Sequence, residues 1–290
     1  MPLVYLGTPA MAVSPLRVLV GAGYEVALVV SRPDARRGRG PELSPSPVKA
    51  AAIELGLPVS DDVEDVLALE PAADLGVVVA FGRIIKPHVL ERVPMLNLHF
   101  SLLPRWRGAA PVERAILAGD AVTGVAVMGV EEGLDTGPIY AETELDILAD
   151  ETADELRERL VTLGTAALLD VLGEGPGAIE AVPQQGEPTY ARKLDRAELR
   201  IDWDRGAIEA HRVVRVGGAW TTFRGKRLKV LRATVGADRG LRRGELAGPD
   251  VGTGAGTLRL VEVQAQGRGR QRAEDWVNGA RLVEGDRLGP

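Results

Sequence analysis

The stretch Leu96-Asn97-Leu98-His99, running straight into Ser101-Leu102-Leu103-Pro104, decides how this chain reads. In an extended strand, residues two apart share a face. Leu96 and Leu98 then point one way, and Asn97 and His99 the other. An amide donor and an imidazole are aimed together from the last residues of one strand. In an open parallel α/β sheet, the carboxyl ends of the strands are where ligands bind. The amide can hydrogen-bond a developing oxyanion and the imidazole can move a proton, a pairing suited to acyl chemistry.

The flanking sequence supports such a sheet. Apolar strands are predicted at residues 3–6, 26–30, 75–80 and 123–130. Helical patterns are predicted near residues 10–20, 48–55, 87–92 and 109–118. Thr152 and Glu155 form a capping box that opens a helix with Leu156, Leu160, Leu163, Ala167, Leu168 and Val171 on one face. Strands alternating with helices predict a parallel α/β domain. Residues 176–200 turn rich in Pro, Gly and Gln and then in charge, which reads as a linker. Beyond them come short β-like runs at residues 227–235, 241–247, 257–263 and 281–287, a spacing that suggests a small β-barrel. The expected boundaries are a first domain over 1–183, a linker over 184–202 and a second domain over 203–290.

With 290 residues, of which 45% are hydrophobic, the chain can build two cores. It has no cysteine, so disulfides, thiolate metal sites and cysteine nucleophiles are excluded. Three histidines, His88, His99 and His211, are too few for a multi-histidine zinc site, and no metal is expected. No signal peptide and no membrane span are read, so a cytoplasmic location is expected. The net charge of −6 is unevenly spread. Residues 1–186 carry 14 Lys+Arg against 27 Asp+Glu, a balance of −13, and residues 187–290 carry 21 against 14, a balance of +7. A basic second domain on an acidic body suits a polyanionic partner.

Gly7 follows the first strand, but Gly7-Thr8-Pro9-Ala10-Met11-Ala12 lacks the further glycines of a dinucleotide fingerprint. Gly7 reads instead as a position of tight turning and close ligand approach. Gly133-Leu134-Asp135-Thr136-Gly137 sets a carboxylate between glycines. It is either an Asx-turn or a carboxylate delivered to the Asn97/His99 spot, where it would orient the imidazole and favour its charged form. Its place beside the Asn/His pair favours the second reading. His88 reads as a surface residue, and His211 as one with no Asn or Asp arranged around it. The long loop over residues 31–47 carries Arg36, Arg37 and Arg39 among glycines, a composition able to approach a phosphate backbone.

The run from Asn97 to Pro111, Asn-Leu-His-Phe-Ser-Leu-Leu-Pro-Arg-Trp-Arg-Gly-Ala-Ala-Pro, with Gly133-Leu134-Asp135-Thr136-Gly137-Pro138, closely resembles the methionyl-tRNA formyltransferase branch of the folate-dependent formyltransferases. The resemblance extends over nearly the whole chain, through Gly7-Thr8-Pro9, the arginine loop, Gly218-Ala219-Trp220-Thr221-Thr222 and the ending 279–286. It implies a Rossmann-like parallel-sheet formyltransferase domain followed by a smaller, OB-like β-barrel domain that binds tRNA. It implies an enzyme that moves the formyl group of 10-formyltetrahydrofolate to the α-amine of initiator methionyl-tRNA. Asn97, His99 and Asp135 would be catalytic, Ser101, Leu102, Leu103 and Pro104 would line the folate site, and Arg36, Arg37 and Arg39 would meet tRNA. A monomer is expected. The alternatives are a sugar-amine N-formyltransferase and a non-catalytic RNA-binding protein. Two departures from the family stand out: Phe100, where a small residue is frequent, and the shortened stretch 214–218.

Overall fold

The computed structural model describes residues 1–36, 42–175 and 177–289. The chain forms two compact units, each made of several chain segments. The first takes in residues 1–111, 122–146 and 157–192. Its elements are β1 (Leu3–Gly7), α1 (Val13–Gly21), β2 (Val26–Val30), β3 (Ala35–Arg36), β4 (Leu43–Ser44), α2 (Pro47–Glu54), β5 (Val59–Ser60), β6 (Leu75–Val79), α3 (Pro87–Arg92), β7 (Met95–His99) and β8 (Arg107–Gly108). Past α4 (Pro111–Ala118), most of which belongs to the second unit, come β9 (Val122–Gly129), β10 (Ile139–Asp146) and α5 (Ala153–Glu174), counted here from Arg157, and then β11 (Tyr190–Ala191).

Seven strands form the main sheet, in the order β10-β9-β7-β6-β1-β2-β5. The strands from β7 to β5 are parallel. β1 and β6 are buried along their whole length, the signature of strands covered on both faces. β9 runs antiparallel to β7 and β10 antiparallel to β9, an antiparallel edge on the parallel-dominated, Rossmann-like sheet that was expected. The connection from β9 to β10 is too short for a crossover helix, so the chain returns as an antiparallel neighbour. β10 escaped the sequence reading because Glu142, Glu144 and Asp146 alternate with less polar residues on an edge strand.

Gly7 closes β1 where a Cβ would lie 3.0 Å from Tyr5 Cε1 and 3.2 Å from the Val79 carbonyl. The loop over 31–47 holds the small β3–β4 pair. Its base is tied by Ser31, which donates to the Gly7 carbonyl at 2.7 Å, and by Ser46, which accepts from Lys49 N–H and caps α2. Arg36 is exposed on β3, whereas Arg37 and Arg39 lie outside the described residues.

The second unit takes in residues 112–121, 147–156 and 193–290. It contains α6 (Ala207–Arg215), β12 (Trp220–Phe223), β13 (Lys226–Gly236), β14 (Leu246–Ala247), β15 (Asp250–Gly252), β16 (Thr257–Ala265), β17 (Gln271–Arg272) and α7 (Ala273–Ala280). The strands pair antiparallel in the order β12-β13-β16-β15-β14, with β17 on β16. Trp203, Leu228, Val230, Leu258, Leu260, Val263 and Trp276 form its core. The run 281–287, expected as a strand, is mostly turn following α7, with only Arg287 at its end bridging to Glu245. Ala273, Trp276, Val277 and Ala280 are spaced for a helix, and Arg281 ends it in the left-handed conformation at φ 48°. The shortened stretch closes α6: Val216 N–H bonds the Arg212 carbonyl, and Gly217 and Gly218 turn the chain at φ 86° and 74°.

His211 corrects another expectation. It is buried on α6 with Nε2 3.4 Å from Asp150 Oδ1. Burial lowers its pKa, and Asp150 works against that shift. One turn on, Arg215 is also buried, and donates to the Glu151 and Leu148 carbonyls at 2.6 and 2.8 Å. His88 is exposed, paired with Glu64 at 2.7 Å.

Candidate active site

β7 delivers Asn97 and His99 as the two-residue period requires. Leu96 and Leu98 are buried on one face, and Leu98 lies where α5 has Gly164 and no side chain to obstruct it. On the other face Asn97 is opposite Met128 and His99 opposite Ala126 of β9. Met128 and Ala126 pack with Leu103, so the strand and the loop after it share a small apolar base beneath the pair.

That loop is tightly specified. Ser101 is fully buried and its hydroxyl donates to the Arg105 carbonyl at 2.7 Å. Arg105 N–H returns to the Leu102 carbonyl at 3.0 Å. Leu103 is buried in the apolar base, while Leu102 and Pro104 are partly exposed. Trp106 is left-handed at φ 65°, a conformation costing an ordinary residue about 1–2 kcal/mol. Its N–H is accepted by Thr189 Oγ1 at 2.9 Å, and the Arg105 guanidinium lies 4.5 Å from the centre of its ring. Its carbonyl faces His99 Nε2 at 3.0 Å.

A carbonyl only accepts, so Nε2 carries the hydrogen and the neutral ring has its lone pair on Nδ1. Nδ1 lies 3.7 Å from Asp135 Oδ2. That separation is within ion-pair range and too long for a direct hydrogen bond. The ring is therefore held by the Trp106 carbonyl rather than by Asp135. The carboxylate is held in turn by Gly108 N–H, which donates to Oδ2 at 2.7 Å. Asp135 itself is left-handed at φ 50°. Its carbonyl and that of Gly137 accept from Gln184 Nε2 at 2.9 and 2.8 Å.

The residues expected to form a linker supply the other half of this frame. β11 pairs with β8, and Thr189 N–H donates to the Pro104 carbonyl at 3.2 Å. Arg107 N–H reaches the Thr189 carbonyl at 2.9 Å and Ala110 N–H the Ala191 carbonyl at 3.0 Å. Residues 184–192 are thus part of the first unit. Trp106, Gly108, Gln184 and Thr189 carry the site geometry and none was singled out from sequence. Among the described residues no cluster of three His, Asp or Glu is arranged to hold a metal, and no helix is long and apolar enough to cross a membrane.

Comparison with known proteins agrees with this architecture. Residues 16–172 match the family described as formyl transferase, and residues 193–281 its C-terminal domain. The chain is 44% identical to methionyl-tRNA formyltransferase of Streptomyces coelicolor over 100% of both chains. It is also 44% identical to that of Phenylobacterium zucineum, over 99% of this chain and 100% of the other. The chain belongs to the methionyl-tRNA formyltransferase family. Among solved structures, an N-formyltransferase from Helicobacter canadensis with folinic acid and dTDP-3-aminofucose has the same fold, with a TM-score of 0.70 at 18% identity over 91% of this chain and 98% of that one. HypX of Aquifex aeolicus with tetrahydrofolic acid gives 0.69 at 17% identity, over 95% and 46%. Asn97, His99 and Asp135 lie inside the formyl transferase match, whereas Gln184 and Thr189 fall between the two matched regions.

Proposed function

We propose that this formyltransferase moves the formyl group of 10-formyltetrahydrofolate to the α-amine of methionine esterified to initiator tRNA. The observation that carries the choice of acceptor is the 44% identity to methionyl-tRNA formyltransferases over the full length of both chains. The neutral amine attacks the formyl carbon, and the carbonyl oxygen becomes an oxyanion stabilised by the Asn97 amide. His99 Nδ1 takes the proton from the attacking nitrogen and returns it to N10 of the folate, which leaves as a neutral amine. The positive charge His99 gains in between is opposed by the Asp135 carboxylate across the 3.7 Å gap. Leu102 and Pro104 face the folate in this reading, while Ser101 and Leu103 shape the loop from within. The two substrates complete the reaction without a metal, because the formyl donor is already activated.

The basic stretch 187–290 and the arginine loop, with Arg36, Arg37 and Arg39, position the tRNA through phosphates. Affinity for charged tRNA should then fall steeply with salt, with no comparable fall for folate. The test compares formylation of methionyl-initiator tRNA with that of a panel of amino sugars, at several salt concentrations. Transfer to a sugar nucleotide in preference to charged tRNA, with no salt dependence, would reject this acceptor.

A further inference from the structure

Gln184 and Arg107 lie outside every residue set assigned to catalysis or binding above, yet they join the two loops that make the site. Gln184 Nε2 donates to the carbonyls of Asp135 and Gly137, at 2.9 and 2.8 Å. Gln184 Oε1 accepts from Arg107 Nε and Nη2, at 3.1 and 2.6 Å. The amide can point only one way. A guanidinium is donor-only and both carbonyls are acceptors, so exchanging O and N would break all four bonds at once.

The consequence is geometric. Arg107 sits between Trp106, whose carbonyl holds His99, and Gly108, whose N–H holds the Asp135 carboxylate. Asp135 sits on the loop whose carbonyls Gln184 grips. One side chain therefore ties the backbone bearing the imidazole's anchor to the backbone bearing the carboxylate. Gly108 N–H alone restrains one oxygen of Asp135, whereas the Gln184 bonds restrain the main chain from which that side chain springs. The left-handed Asp135 gives that main chain a reason to relax once the grip is lost.

We infer that Gln184, braced by Arg107, is a positioning residue that sets the distance between Asp135 and His99 during formyl transfer. The inference rests on the proposed function for the reaction it serves, but not for the geometry it describes.

The test uses two variants of the full chain. Gln184→Met keeps the length and removes every polar bond. Gln184→Glu keeps the acceptor for Arg107, and adds a charge pair there, but sets a carboxylate against two carbonyls. If the role were only to hold Arg107, the Glu variant would behave as wild type. The inference expects both variants to lose about 10²-fold in kcat, the scale of an ångström-sized misplacement, with KM for either substrate nearly unchanged. A second readout needs no substrate: the Gly108 amide proton, hydrogen-bonded to Asp135, should shift upfield and exchange faster in both variants. A Gln184→Glu enzyme turning over at the wild-type rate overturns the inference, as does an unmoved Gly108 resonance in either variant. If the wild-type protein transfers no formyl group to methionyl-tRNA, the functional reading fails, and the Gly108 resonance still decides the positioning role.

Discussion

Thr189→Val is the sharpest probe of how the imidazole is held. Valine keeps the shape of the side chain and removes Oγ1, the acceptor of Trp106 N–H at 2.9 Å. The backbone bonds of the same segment survive, from Thr189 N–H to the Pro104 carbonyl and from Arg107 N–H to the Thr189 carbonyl. The perturbation is therefore confined to one peptide. A partly buried N–H without its partner costs about 1–3 kcal/mol. The left-handed backbone of Trp106, at φ 65°, already stores about 1–2 kcal/mol. Together these suffice to rotate the peptide or displace it by a fraction of an ångström. Its carbonyl then leaves the 3.0 Å position that fixes His99 Nε2–H. Stability should fall by about 1–3 kcal/mol in urea unfolding, and single-turnover formylation should slow by about 10- to 10²-fold. Long-range ¹H–¹⁵N spectra of His99 should change from a single Nε2–H tautomer to a mixture. A variant that loses stability but keeps both the wild-type rate and the single tautomer would refute the claim that the Trp106 carbonyl orients the His99 ring.

Asn97→Ala should reduce turnover by about 10²–10³, the scale of one oxyanion donor, while folate affinity measured by titration changes far less. Near-normal turnover with lost folate binding would make Asn97 a binding residue instead. Glu155 supplies a pH test in the second unit. Its carboxyl accepts from Thr152 N–H and Oγ1 and pairs with Arg232, which together lower its pKa from 4.5 to about 2. A depressed carboxylate pKa contributes stability above its unfolded value that is lost as pH falls through the folded one. Unfolding midpoints should therefore drop as pH falls from about 4.5 towards 2, and Glu155→Gln should flatten that part of the curve. An unchanged slope in the Gln variant would assign the acid sensitivity elsewhere.

What the sequence disclosed and what it concealed divide along a physical line. Asn97 and His99 were legible because a period of two is a local property, and the buried Leu96 and Leu98 fix which face is which. Asp135 was legible as chemistry between glycines. The partners that give these side chains their geometry are mostly main-chain groups: the Trp106 carbonyl, Gly108 N–H and the Asp135 and Gly137 carbonyls. Every residue has such groups, so no residue type announces them. Their direction depends on two positive φ angles, one at Trp106, which no turn rule flags, and one at Asp135, where the flanking glycines suggest a turn but not which groups it aims. Gln184 and Thr189 were hidden for a different reason. Polar residues among prolines and glycines look like solvated linker until a partner far along the chain is known, and theirs stand 77 and 83 residues away. Near the end of the chain, the helix over 273–280 went unread because two turns are too short for its periodicity to stand out against neighbouring charges. The side chains proposed to be catalytic are thus written locally. The distances between them are set by a strap that returns from the far end of the domain, and Gln184 and Thr189 are where substitutions should change rate without touching a reacting atom.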